Sequence, residues 1–190
     1  PQDRLVLLMA ANTFSDRRKV GPGAIEALRR ITNLRPFLIA IGTGSRAFAE
    51  EIRGIEHHLT GFVSDRDCLA DWYRCADLHF FPSVADNQPL VVLETMSCGV
   101  ATVGFATGGV PEMIKSDTTG WLVDVGDVDG LVAGMRRAAE GGRAIQWGRE
   151  CRKLALGNFS MDSFIDRHLR FYERQIERWH LKNRQSRLLM

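Results

Sequence analysis

Phe81-Pro82-Ser83-Val84-Ala85-Asp86-Asn87-Gln88-Pro89-Leu90-Val91-Val92-Leu93-Glu94-Thr95-Met96-Ser97-Cys98-Gly99 is the stretch on which the reading of this chain turns. Residues 77–81 lead into it as a short apolar strand, stopped by Pro82. Residues 89–98 then read as a helix, with Gly99 as its stop. A strand, a loop carrying an acid and a helix carrying a second acid make the unit from which open α/β sheets are built.

The same alternation extends in both directions. Residues 5–11 form a continuous apolar run, as expected for a strand covered on both faces. Residues 37–41, 57–63, 101–105 and 120–125 read as further strands, six in all. Helical spacing of Ile25, Leu28 and Ile31, with Pro22 near the start, predicts a helix over 24–31. Ser64 or Asp65 caps another helix that runs to about residue 75, and residues 127–140 form a third. Strands alternating with helices imply an α/β fold, a doubly wound, Rossmann-like parallel sheet. Ligands bind such sheets at the carboxyl ends of the strands. Residues 144–156 and 160–178 add two C-terminal helices, split by Gly157-Asn158. Ser160 is a natural cap for the second, and Phe164, Leu169, Phe171, Tyr172 and Ile176 supply its apolar face. Residues 182–187 are basic and expected to fray.

Composition bounds the function. The 190 residues carry 25 basic and 23 acidic side chains, a formal net charge of +2, so nothing global points to nucleic acid and any anion site must be local. The four cysteines (Cys68, Cys75, Cys98 and Cys151) lack C-x-x-C spacing and read as buried thiols of a reducing compartment. No apolar run approaches the roughly 18–20 residues that span a bilayer, and no signal peptide is visible. These features suggest a cytoplasmic chain. The basic tail admits contact with an anionic membrane face, although a solvated end is the weightier reading. The opening Pro1-Gln2-Asp3-Arg4, with no initiator Met, reads as the start of an excised fragment.

Candidate site residues lie after the strands. Asp86 precedes the helix and Glu94 lies about one and a half turns into it, so both can face the cleft. Between them Leu90 and Val91 offer backbone N–H groups with no intrahelical partner. Free donors at a positive helix end suit a diphosphate, and carboxylates suit sugar or ribose hydroxyls. Gly108 and Gly109, after the fifth strand, allow close backbone approach to a ligand. Arg17, Arg18 and Lys19, after the first, supply cations. Gly42-Thr43-Gly44 with Ala47 also reads G-x-G-x-x-A, the dinucleotide fingerprint, but Gly61-Phe62-Val63 ends the next strand where an acid is wanted. Asp65-Arg66-Asp67 reads as helix-cap chemistry rather than a metal site. The histidines show no ligand spacing, and no metal is expected.

Taken together, these segments resemble the retaining, metal-independent glycosyltransferases of the GT-B fold, known as group 1 or family 4, from about residue 5 to residue 175. Asp86-x7-Glu94 resembles the family's E-x7-E, with Asp in the first place. Asp77 with Pro82-Ser83, Met96-Ser97-Cys98-Gly99-Val100-Ala101, Thr107-Gly108-Gly109-Val110-Pro111-Glu112, Thr119-Gly120-Trp121-Leu122-Val123 and Phe159-Ser160 resemble its other motifs in order. The resemblance implies that Glu94 holds ribose hydroxyls and Asp86 a hydroxyl of the transferred sugar. Asn87 sits beside Asp86 in a D-N-x-P variant and is counted with the donor contacts. Lys19 matches a phosphate-binding lysine, with Arg18 or Arg17 in place of the arginine expected where Phe14 stands. The resemblance further implies that Gly42 and Gly44 pass near the nucleotide, that Phe62 and Val63 lie against the base, and that Gly108 and Gly109 touch the sugar or distal phosphate.

The resemblance implies that the chain is the C-terminal half of a GT-B enzyme. On that reading residues 1–158 are expected to bind a nucleotide-diphosphate sugar without other cofactor, and residues 159–190 to cross to a preceding domain that holds the acceptor, a glycan or lipid-linked sugar. Alone, such a fragment is expected to be inactive, with exposed apolar surface on residues 160–178. The competing readings are an NAD-dependent dehydrogenase domain, a non-catalytic nucleotide-binding module and a nucleotide-sugar epimerase of the same fold.

Overall fold

The computed structural model describes residues 4–188. The chain divides into two compact units between Lys153 and Leu154.

The first unit is built on six parallel strands. In chain order its elements are β1 (Val6–Thr13), α1 (Pro22–Arg29), β2 (Phe37–Thr43), α2 (Ser45–Glu51), β3 (Glu56–Gly61), α3 (Arg66–Arg74), β4 (Leu78–Phe81), α4 (Leu90–Ser97), β5 (Ala101–Phe105), α5 (Val110–Met113), β6 (Gly120–Val123) and α6 (Val128–Ala139). The order across the sheet is β3-β2-β1-β4-β5-β6. The chain winds outward from β1 to β3, then returns to the other side of β1 at β4. That reversal opens a crevice between the loops after β1 and β4.

Continuous apolar runs make the inner strands because both of their faces are covered. Leu7, Leu8, Leu38, Ala40, Leu78, Ala101 and Val103 are fully buried. Helix α6 packs on α1, β5 and β6, whereas α4 packs on α3, β5 and α5. Asp77 ties the start of β4 to β1, since its carboxylate accepts from Val6 N–H at 2.8 Å. Asp65 caps α3 as expected, accepting from Cys68 N–H at 2.8 Å.

Several expectations need correction. Helices α2 and α5 were not anticipated. Strand β3 ends at Gly61, so Phe62 and Val63 lie beyond it. Cys68 and Cys75 are exposed, Cys98 is half-buried, and only Cys151 is buried. Spacing explains the first pair: Cys68 in the first turn of α3 and Cys75 at its C-cap are seven residues apart and share its outer side.

In the second unit, Gly157 and Asn158 belong to the end of α7 (Arg143–Asn158) rather than separating two helices. Ser160 Oγ accepts from Ser163 N–H at 3.2 Å and caps α8 (Met161–Leu188). This helix backbone continues through residues 182–187 instead of fraying. Phe164, Leu169, Phe171, Tyr172 and Ile176 are all about half exposed, in line with the exposed apolar surface expected on residues 160–178. Among the described residues no helix is long and apolar enough to cross a membrane.

Candidate functional site

The crevice is assembled from two loops that hold each other. Val84 N–H, after β4, donates to the Arg18 carbonyl, after β1, at 2.8 Å. This bond sets the loops side by side, and Lys19 Nζ donates to Asp86 Oδ2 in an ion pair between them. Both side chains are largely but not wholly withdrawn from water, at 32 % and 17 % exposure. The ammonium has two donors left, and the carboxylate a second oxygen. Lys19 also lines a small recess with Phe14, Val20, Phe81, Pro82 and Ser83.

The other two cations are engaged by other acids. Arg18 pairs with Asp16 at 2.9 Å, and Arg17 with Glu51 at 2.9 Å. The Arg18 guanidinium holds the Asp16 carboxyl below its ordinary range. Phe14, in the place where the resemblance called for arginine, is buried and stacks on Phe48 with ring centroids 4.5 Å apart.

Helix α4 begins next to this pair. Pro89 is its N-cap, and no side chain caps it. The Leu90 and Val91 amides therefore precede the first intrahelical bonds, and the Leu90 side chain is exposed. Glu94 follows in the second turn and is exposed. Its Oε2 accepts a hydrogen bond from the Tyr73 hydroxyl of α3 at 2.9 Å. Sequence reasoning did not anticipate Tyr73, a residue only 4 % exposed. Burial is the main cause that pushes its phenol pKa well above the ordinary value, with the Glu94 charge adding to it.

The glycine loop after β5 closes the next side. Gly109 N–H donates to the Asn87 carbonyl at 2.5 Å. Gly108 has a φ of +50°, and a Cβ there would lie 2.5 Å from the Asn87 carbonyl oxygen. The glycine is required by this close approach. Asn87 itself is exposed. Gly44 is left-handed, with φ 71°, and starts α2. A Cβ on it would meet Ser15 Oγ at 2.8 Å and Thr13 Oγ1 at 2.9 Å. Gly42 and Gly44 thus let the end of β2 sit against the loop after β1. Beyond β3, Phe62 is 68 % exposed, while Val63 is half-buried against the cluster of Leu8, Ile39, Ile41 and Tyr73. Among the described residues no three His, Cys, Asp or Glu side chains gather as a metal site would require.

Comparison with known proteins agrees with this layout. Residues 5–140 match the family model for glycosyl transferases group 1. A D-inositol 3-phosphate glycosyltransferase of Mycobacterium sp. (strain KMS) is 39 % identical over 105 residues, 49 % of this chain and 24 % of that protein. The sucrose-phosphate synthase of Thermosynechococcus elongatus superposes with a TM-score of 0.78 at 23 % identity, over 93 % of this chain and 47 % of that one. The HepE protein of Anabaena, solved with UDP-glucose, gives a TM-score of 0.75 at 17 % identity, over 90 % of this chain and 49 % of that one. At these identities the two structures show the fold, and the chain spans about half of their length. With the family model covering most of its residues, the chain belongs to the group 1 glycosyl transferases.

Proposed function

We propose that this chain supplies the donor site of a retaining glycosyltransferase, which moves a sugar from a nucleoside diphosphate to an acceptor hydroxyl without a metal. The observation that carries the reading is the Lys19–Asp86 pair beside the uncapped start of α4. A diphosphate laid across that helix start would receive the Leu90 and Val91 amides and the spare Lys19 donors. Asp86 would accept from a hydroxyl of the transferred sugar, and Glu94 from the ribose. Gly108 and Gly109 would let backbone approach the sugar or distal phosphate, and Asn87 would stand beside it. Phe62 and Val63 would flank the base, with Gly42 and Gly44 near the nucleotide. Arg18 would join only by exchanging Asp16 for phosphate.

In the reaction the acceptor oxygen bonds to the anomeric carbon as the bond from that carbon to the diphosphate breaks. The hydroxyl proton leaves with the diphosphate. Negative charge grows on the phosphate oxygens, where fixed donors stabilise the transition state most. The acceptor, a glycan or lipid-linked sugar, would be held by residues outside these 190, in keeping with the half-length matches. The exposed apolar stripe of α8 would pack there. Contact with an anionic membrane is a secondary expectation. Proton NMR of the first-formed product, with the whole protein, a UDP-sugar and a sugar acceptor, tests the reaction. An anomeric proton with the donor's configuration is expected; inversion contradicts the retaining reading.

A further inference from the structure

We infer that Tyr73 is a positioning residue that holds the Glu94 carboxylate for the ribose hydroxyls of the nucleotide. The inference rests on the donor-site reading above and deepens it.

Glu94 is exposed on α4 and has three side-chain torsions to order. A free glutamate would sample many rotamers and would have to be fixed at each binding event. Tyr73 removes part of that freedom. Its ring is buried in the cluster of Leu8, Ile39 and Ile41 and so cannot swing. Only the hydroxyl reaches out, to Glu94 Oε2 at 2.9 Å. A buried phenol needs a partner for its O–H, and here the partner is one oxygen of a carboxylate whose other oxygen is left to a ligand. Burial pushes the phenol pKa up, which favours the protonated, donating form. The contact joins the end of α3 to the second turn of α4, two elements 21 positions apart at the bond. It therefore fixes where the carboxylate stands relative to the sheet, as an outer-shell partner fixes a ligand.

The consequence is selectivity for ribose over a sugar without its hydroxyls. A carboxylate held in place gains affinity from the hydroxyls it accepts. A loose one gives part of that gain back in ordering.

The test is calorimetry of UDP, GDP and ADP, each beside its 2′,3′-dideoxy counterpart, on the unaltered chain, Tyr73→Phe, Glu94→Ala and the double variant. Phenylalanine keeps the ring and the core. Tyr73→Phe is expected to weaken the preferred diphosphate about three- to tenfold while leaving its dideoxy form within about twofold. In the Glu94→Ala background the same change is expected to have little further effect. Equal loss for both nucleotides, or the same loss without Glu94, would make Tyr73 merely structural and overturn the inference. So would no loss at all. A failure of the donor-site reading looks different: the unaltered chain would bind no diphosphate, or Glu94→Ala would bind ribose and dideoxy forms as the unaltered chain does.

Discussion

Lys19 and Asp86 stand 67 positions apart in the chain and meet as an ion pair at the reversal point of the sheet. Neither is placed by its own neighbours. Lys19 is brought by the turn after β1 and Asp86 by the loop after β4. The strands meet because the winding changes direction between them. The pair leaves a cation with spare donors beside a helix start that no side chain caps, the arrangement on which the proposed diphosphate site rests.

Lys19→Ala should therefore weaken nucleoside diphosphate binding by about tenfold or more, the usual worth of a charge-assisted contact. The loss should shrink as salt is raised, because the cation is partly exposed. Unchanged affinity by calorimetry removes Lys19 from the site.

Gly108→Ala should cost about 1–3 kcal/mol of stability, since alanine is strained at positive φ and its methyl would collide with the Asp86 and Asn87 carbonyls. Denaturant titration measures this. Because the same carbonyls belong to the loop that carries Asp86, diphosphate affinity should fall as well. A variant as stable as the parent contradicts the close approach.

His79 sets a pH dependence. It is fully buried between Thr102 Oγ1 at 3.1 Å and Thr95 Oγ1 at 3.3 Å, and burial pushes its pKa down to about 3 from 6.5. Its folded value lies below its unfolded value. The unfolded chain therefore takes up the proton first as pH falls below 6.5, and folding stability drops toward pH 3. The slope from this one group approaches about 1.4 kcal/mol per pH unit. His79→Asn should lose that slope between pH 6 and 4.5, whatever its own starting stability. An unchanged slope contradicts the neutral, buried imidazole.

Asp65→Ala should cost about 1 kcal/mol, the usual worth of an N-cap. Magnesium or manganese should leave diphosphate affinity unchanged in both proteins. Metal-dependent binding lost in the variant would instead make Asp65-Arg66-Asp67 a metal motif.

The sheet was legible because its inner strands are unbroken apolar runs, and the alternation with helices dictates their parallel winding. Helix α2 was not, because Ser45–Glu51 is mostly polar and, among its described side chains, contributes Phe48 alone to the core. A single buried position has no period. Helix α5 was hidden by its length, four residues after a glycine pair that reads as a loop. The extent of α8 was underestimated because a polar tail has no apolar repeat to mark it as helical. Of the proposed site, Asp86 and Glu94 were picked out by type and spacing and Lys19 by its place after a strand and its match to the family's lysine, and the fold brings Lys19 and Asp86 together. The partners of Arg17 and Arg18 were not, since a run of charges does not say which way each side chain turns. Tyr73 looked like an ordinary core position on α3, and only the packing of α3 on α4 brings its hydroxyl to Glu94.

The most direct test is isothermal calorimetry of the chain with UDP, GDP and ADP in EDTA, with NADH as the competing ligand. Saturable binding of one diphosphate, weakened by Glu94→Ala and not shared by NADH, is the predicted result. Binding of NADH with no response to any diphosphate would contradict the donor-site account.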